Sequence, residues 1–209
     1  ECRYSVNSAG IDGGAFDNCA NLKTVMFEEG TTEIAEGLFA GCTGIEQITI
    51  PDTVTVIESG AFGGCINLKE ITVPDNVTEI QRSAFEYCSS LKTAKLSENL
   101  KSIGIWAFGD CNVLKSIKIP DSVTDIDGNA FAECKELSDV ILSKNLKTMG
   151  WQVFGNDNKL TEIEIPKSLE ECRYSVNSAG IDGGAFDNCA NLKTVTFEEG
   201  TTEIAEGLF

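Results

Sequence analysis

Residues 114–137 read LKSIKIPDSVTDIDGNAFAECKEL, and this pattern recurs along most of the chain. Phenylalanine marks it at intervals of 23 residues and returns near the end, at Phe16, Phe39, Phe62, Phe85, Phe108, Phe131, Phe154, Phe186 and Phe209. We call each repeat a rung. In most rungs a cysteine follows the phenylalanine three residues later, at Cys19, Cys42, Cys65, Cys88, Cys111, Cys134 and Cys189. Asp157 takes the cysteine position once. A fixed period of this length is typical of stacked structural repeats.

Each part of the repeat predicts a local structure. The I-x-I segment alternates with period two, which predicts a short strand with one face inward. The proline that follows in four rungs has no N–H for a ladder and ends that strand. V-x-x-I predicts a second short extended or turning segment. A-F-x-x-C-x-x-L has a spacing of three, which suits one helical or 3₁₀ turn.

A single repeat of this kind cannot bury its apolar side alone, whereas stacked repeats share a continuous core. We therefore predict an α/β repeat solenoid, a right-handed superhelix of mostly short parallel strands with short helical or 3₁₀ turns. The prediction covers residues 1–209 as one domain. The I-x-I strands would form a parallel sheet on the concave side, with the turns opposite.

The L-x-x-I-x-I strand, the A-F-x-x-C turn and the 23-residue length resemble the leucine-rich repeat, in particular the BspA-like subclass. Ser97 and Ser143 in the proline column, Asp157 and one insertion depart from that pattern. The resemblance implies a secreted or surface-attached protein of host-associated bacteria or some protists. Such proteins are thought of as adhesins or ligand binders rather than enzymes.

A second, longer repeat is superimposed on the first. Residues 171–209 repeat residues 1–39 with one change, Met26 to Thr196. The offset of 170 equals seven rungs of 23 plus nine inserted residues between Leu169 and Ile181. We predict a seven-rung unit over 1–170, the next unit beginning at 171–209, and a protruding loop at each insertion. Recent duplication in a long tandem array explains the near-identity better than engineered repetition.

Composition excludes several function classes. The formal net charge of −17 gives the chain as a whole no electrostatic reason to bind nucleic acid or an anionic membrane. No apolar run is long enough to span a bilayer. There is no histidine, so the commonest general base and metal ligand are missing. We predict no enzymatic activity, no metal site and no cofactor.

The cysteine column favours free thiols over disulfides or metal. Equivalent positions in neighbouring rungs have parallel rather than facing Cβ directions, which disulfide geometry does not allow. Zinc sites use C-x₂-C clusters, which the chain lacks. Cys2 and Cys172 lie outside the column. Cys172 fits the isoleucine position three residues after Leu169, with the extra loop behind it; a disulfide between units or an oxidisable thiol is the alternative.

Outward positions of the I-x-I strands are where solenoids usually bind ligands. The candidate binding residues are lysines on three neighbouring rungs, Lys69, Lys92, Lys95, Lys115 and Lys118. They could receive an acidic glycan, a carboxylate-rich protein or a neighbouring copy of the chain. Alternatively, they form a solvated face that protects the sheet from aggregation. Trp106 and Trp151 could stack on sugars, but cover of the core edge is the favoured interpretation.

These observations predict a non-enzymatic extracellular or cell-surface protein that acts in adhesion or in protein or glycan binding on a host or neighbouring cell. The alternative is a structural fibre or stalk of tandem 170-residue units without a specific ligand site.

Overall fold

The computed structural model describes residues 5–6, 12–173, 175–176 and 182–209. These residues form short strands and turns, with no helix among them. The strands are β1 (Ser5–Val6), β2 (Asp12–Gly13), β3 (Glu33–Ile34), β4 (Val56–Ile57), β5 (Glu70–Thr72), β6 (Glu79–Ile80), β7 (Thr93–Lys95), β8 (Ser102–Ile103), β9 (Ser116–Lys118), β10 (Asp125–Ile126), β11 (Asp139–Ile141), β12 (Thr148–Met149), β13 (Glu162–Ile165), β14 (Glu171–Cys172), β15 (Ser175–Val176), β16 (Asp182–Gly183) and β17 (Thr194–Phe197).

The longest sheet follows the V-x-x-I segment of the repeat. It contains seven parallel two-residue strands in the order β14-β12-β10-β8-β6-β4-β3. Each strand pairs with its equivalent one rung away, so that Ile57 stands beside both Ile34 and Ile80. The sequence predicted the main sheet along the I-x-I segments and only an extended or turning structure for V-x-x-I. The uninterrupted hydrogen-bonded ladder instead follows the V-x-x-I segments.

The I-x-I segments form parallel pairs, β5 with β7, β9 with β11, and β13 with β17. In the first two pairs, a strand followed by proline precedes a strand followed by serine, Pro74 before Ser97 and Pro120 before Ser143. Between these pairs β7 still packs beside β9, and β11 beside β13. The six strands therefore lie side by side, although their ladder is interrupted.

Two rungs have serine where four others have proline, and the serine side chains form hydrogen bonds there. Ser97 is fully buried, and its hydroxyl accepts the Asn99 N–H at 3.1 Å. Ser143 is equally buried, accepts the Asn145 N–H at 3.1 Å, and donates to the Val123 carbonyl at 2.7 Å. Both polar side chains are thus satisfied inside the core, as burial requires.

The A-F-x-x-C segments are isolated hydrogen-bonded turns and not the short helical or 3₁₀ turns expected from their spacing. The Cys65 N–H donates back to the Phe62 carbonyl at 3.1 Å. The N–H groups of Phe62 and Gly64 instead donate to Ala84 and Glu86 of the next rung, at 2.8 and 2.7 Å. A helix needs successive N–H groups to point the same way along the chain, so this alternation excludes it.

In the turns from Phe39 to Phe154, the residues two before and two after the phenylalanine have positive φ. Glycine occupies them in early rungs, with Gly60 at 63° and Gly64 at 73°. Later rungs place Trp106 at 58° and Tyr87 at 59° in the same two positions. A side chain there costs about 1–2 kcal/mol. Bonds to the next rung, such as Tyr87 N–H to the Gly109 carbonyl at 2.9 Å, hold these residues in place.

The core is a set of stacked columns, which confirms the predicted solenoid. The phenylalanine rings lie nearly parallel, with centroids 5.1 Å apart for Phe85 and Phe108 and 5.4 Å apart for Phe108 and Phe131. All three side chains are fully buried. The neighbouring cysteine, leucine, valine and isoleucine columns lie in the same cluster. Each rung therefore closes the apolar side of the one before it.

The insertion leaves the stack intact. Cys172 is buried and pairs with Met149 at the end of the seven-stranded sheet, which confirms that it fills the isoleucine column. Strands β15 and β16 then pair antiparallel between two rungs. Strands β1 and β2 pair in the same way. Cys2 lies outside the described residues.

Candidate binding face

The strand face consists of the outward side chains of β5, β7, β9, β11, β13 and β17, with the residue just before each strand. Alternation along each strand creates it. In β9, Ile117 is buried between Ser116 and Lys118, which are both exposed. The stack repeats this arrangement in every rung, so outward residues at equivalent positions form straight columns.

The five predicted lysines all lie on this face and are exposed. Lys69 forms an ion pair with Glu46 of the preceding rung, and this hydrogen bond lowers the pKa of Glu46. Lys118 approaches Glu98 at 3.9 Å. Lys92, Lys95 and Lys115 form no ion pair with any residue that the structure describes. The ion pair of Lys69 was not predicted from the sequence.

The next two rungs carry the opposite charge. Asp139, Glu162 and Glu164 are exposed on the same face, and within the described part of the chain they also form no ion pair. Ile141 lies in the first of these acidic rungs, beside the basic ones, and is 55% exposed. Its column contains lysine or glutamate in the adjacent strands, so this isoleucine is an apolar residue at the boundary between two charged patches.

Shallow grooves run between the outward columns. One of about 330 Å³ lies in the basic half. Its lining residues are Glu46, Gln47, Lys69, Glu70, Lys92 and Thr93. A second of about 390 Å³ lies in the acidic half, beside Asp139, Glu162 and Glu164. Both are open clefts with polar walls. Such clefts suit an extended or macromolecular partner better than an enclosed small molecule.

The two tryptophans cover backbone on the turn side. Trp151 is half-buried over Gly128, where an added Cβ would lie 2.6 Å from the indole ring. Trp106 covers Gly109 of its own rung in a similar way, with a Cβ position 2.3 Å from the ring. These contacts agree with the interpretation of the tryptophans as cover for the core edge.

The cysteine column is a ladder of hydrogen-bonded free thiols. Cys65 donates to the Phe39 carbonyl at 3.3 Å, and Cys134 donates to the Phe108 carbonyl at 3.3 Å. Burial raises the pKa of Cys65 to about 12, and it raises the pKa of Cys134 well above the usual value. Such thiols are not nucleophiles at neutral pH. The sequence predicted small apolar residues here and missed their hydrogen bonds.

Asp157 interrupts the ladder as a buried carboxyl group. It is fully buried, and neither of its carboxylate oxygens accepts a hydrogen bond from the described residues. Burial, with a smaller contribution from the charge of Glu133, raises its pKa to about 9. The group is therefore protonated at neutral pH. Its position inside the core, away from the grooves, excludes contact with a ligand.

Metal binding has no support among the residues placed in the structure, where no three cysteine, aspartate or glutamate side chains converge. Within the same residues there is also no helix that could cross a membrane.

The sequence profile of the BspA type leucine-rich-repeat region matches this chain in six copies, over residues 4–113, 55–180 and 168–209. These ranges extend over nearly the whole length. The chain belongs to the BspA-type leucine-rich-repeat family. The resemblance drawn from the sequence is therefore confirmed.

Solved structures show the same fold. A leucine-rich repeat protein from Bacteroides ovatus is 30% identical, with a TM-score of 0.72, over 100% of this chain and 53% of that protein. The T. pallidum leucine-rich repeat protein is 26% identical, with a TM-score of 0.66, over 82% and 80% of the two chains. A leucine-rich cell surface protein from Faecalibacterium prausnitzii is 26% identical, with a TM-score of 0.50, over 89% and 62%.

This chain thus spans about half the length of the Bacteroides ovatus protein. No curated protein matches it.

Proposed function

We propose that this BspA-type repeat protein acts without catalysis at the cell surface or outside the cell, where its strand face binds an acidic glycan or a carboxylate-rich protein. The observation that carries the proposal is the exposed cluster of Lys92, Lys95 and Lys115. Each lacks an ion pair within the described residues, although the chain as a whole has a charge of −17. Concentrated positive charge on a negative protein selects an anionic partner.

Surface location is supported by the relatives of the chain. The family and the Faecalibacterium prausnitzii cell surface protein share its fold. Antibodies against the strand face, applied to intact cells of the source organism, test this part of the proposal. Labelling that appears only after the cells are permeabilised would contradict it.

Ligand binding is tested with immobilised heparin as the acidic glycan and polyglutamate as the carboxylate-rich chain. We expect retention of the protein on at least one of these probes, and loss of retention as salt screens the lysines. The variant Lys92→Ala/Lys95→Ala/Lys115→Ala should lose it. The matched control changes three exposed lysines away from the strand face, Lys101, Lys135 and Lys159, to alanine. Equal retention of the two triple variants would refute the site.

A structural fibre is the second candidate. It is favoured by the near-identity of residues 171–209 and 1–39, which differ at one position. In that case the strand face needs no ligand, and neither probe would retain the protein. Electron micrographs of the native protein would then show rods of uniform width.

A further inference from the structure

One outward column of the strand face changes its chemistry along four consecutive strands. The column contains Lys95 in β7, Lys118 in β9, Ile141 in β11 and Glu164 in β13. All four side chains are exposed. The neighbouring outward positions of these four strands show the same division, with Lys92 and Lys115 before it and Asp139 and Glu162 after it. From β7 to β13, the charged residues of the face are therefore lysines on one side of a line between β9 and β11 and carboxylates on the other.

This arrangement is complementary to itself. A two-fold axis parallel to the strands, between β9 and β11, would place a second copy face to face with its rungs in reverse order. Lys95 of each copy then faces Glu164 of the other. Ile141 lies next to the axis and faces Lys118 of the other copy. The two isoleucines are offset along the stack by about one strand spacing, about 4.8 Å. In a two-fold dimer, every contact between a residue of one copy and a residue of the other occurs twice, with the two copies exchanged.

Charge also selects this orientation over its alternative. If the two copies ran in the same direction, each rung would face its own equivalent. Lys95 would then lie against Lys95, and Glu164 against Glu164. Such like-charge contacts oppose association. The reversed arrangement instead places Lys95 against Glu164 twice, and at its centre the aliphatic stem of each Lys118 covers Ile141 of the other copy.

We infer that two copies of this chain associate antiparallel through the strand face, with Ile141 at the two-fold axis and Lys95 paired with Glu164 on both sides. The inference rests on the proposed function in one respect, because it assigns a partner to the same face. The four strands span only about 14 Å of the stack, three strand spacings. An interface of this size lies at the weak end of specific contacts, so the dimer should be concentration-dependent and sensitive to salt.

Sedimentation equilibrium of the full chain tests the inference at protein concentrations up to about 1 mM. We expect a monomer–dimer equilibrium at about 0.1 M salt that weakens at about 1 M, where the screening length falls from about 10 to about 3 Å. Lys95→Glu and Glu164→Lys should each weaken the dimer about tenfold or more. Combining them exchanges the charges and should restore it. Within one chain these residues lie three rungs apart, so the rescue reports a contact between copies.

Two controls separate the interface from general effects. Lys135→Glu makes the same charge change at an exposed site on the turn side and should leave the dimer unchanged. Ile141→Thr introduces the residue that Thr72 and Thr196 provide in the same column, so it should weaken the dimer without lowering the melting temperature. A chain that stays monomeric, or association that ignores both charge substitutions, would overturn the inference.

The two proposals fail in different ways. Glu164→Lys should weaken the dimer while heparin retention stays the same or rises, because the face gains positive charge. A monomeric wild-type protein that binds heparin overturns self-association and supports the ligand site. A dimer rescued by the charge exchange, in a protein that binds neither heparin nor polyglutamate, supports self-association and overturns the ligand site.

Discussion

Replacement of Asp157 by cysteine should remove a large pH dependence of stability. Asp157 takes the place of cysteine between Cys134 and Cys189, whose thiols donate to the carbonyls of Phe108 and Phe154 at 3.3 and 3.0 Å. A protonated carboxyl group can donate a hydrogen bond in the same way, whereas a carboxylate cannot. The ionised form would remain buried with only the backbone N–H of Cys134 nearby to stabilise it, which does not offset the loss of water.

The sign and size follow from the pKa values of the folded and unfolded states. Burial raises the pKa of Asp157 from 3.8 to about 9. The folded state therefore keeps a proton that the unfolded state has lost, and stability falls as pH rises between these values. One pKa unit corresponds to about 1.4 kcal/mol, so the free energy of unfolding should fall by about 3 kcal/mol between pH 5 and pH 7.

Urea denaturation at pH 5, 6, 7 and 8 under reducing conditions measures this effect. The stability difference between Asp157→Cys and wild type should grow as pH rises, because the buried thiol stays neutral in both states through most of this range. Glu136→Gln removes an exposed carboxylate and serves as the control, with the slope of wild type. A difference between Asp157→Cys and wild type that stays constant from pH 5 to pH 8 would refute the reasoning.

Three further outcomes test the fold itself. Phe108→Ala should lower the free energy of unfolding by about 3–5 kcal/mol, because the ring is fully buried in a stack that cannot collapse; a loss below about 1 kcal/mol would contradict the column assignment. Cys65 should react with a thiol reagent only after denaturation without reductant, and a bridge between any two column cysteines would contradict the ladder. Limited proteolysis should cut between Val176 and Asp182 before it cuts any rung; earlier cleavage within the stack would count against the predicted protruding loop.

Much of this fold was predictable from the sequence because stacking imposes one environment on each column. A buried phenylalanine position accepts no polar residue, so phenylalanine recurs at a regular interval in the sequence. The same reasoning assigned Cys172 to the isoleucine column, where it pairs beside Met149. Equivalent positions in successive rungs have the same environment, so a single sequence shows the same residue preference several times. The core residues could therefore be predicted from one chain.

The remaining features depend on backbone directions that residue types do not report. In the turn around Phe62, alternate backbone N–H groups donate to the next rung. The sequence of this turn is also compatible with a short helix, so it does not reveal these directions. The pairing of Lys69 with Glu46 depends on which side chains meet across rungs. The column of free thiols was predicted, but its hydrogen bonds were not, because they depend on where the Phe carbonyls lie beside the cysteines.

The strand face is the part of the molecule where sequence can change without disturbing the stack. Residues 1–39 and 171–209 differ only at Met26 and Thr196, and this position belongs to the same outward column as Lys95 and Glu164. Met26 is 91% exposed, so its replacement leaves every inward contact unchanged. Stacking therefore constrains the inward columns and leaves this one free. A sequence of lysine, lysine, isoleucine and glutamate in such a column is not required for folding. Its order fits the binding roles proposed for the strand face, and its charges also fit a solvated face that resists aggregation.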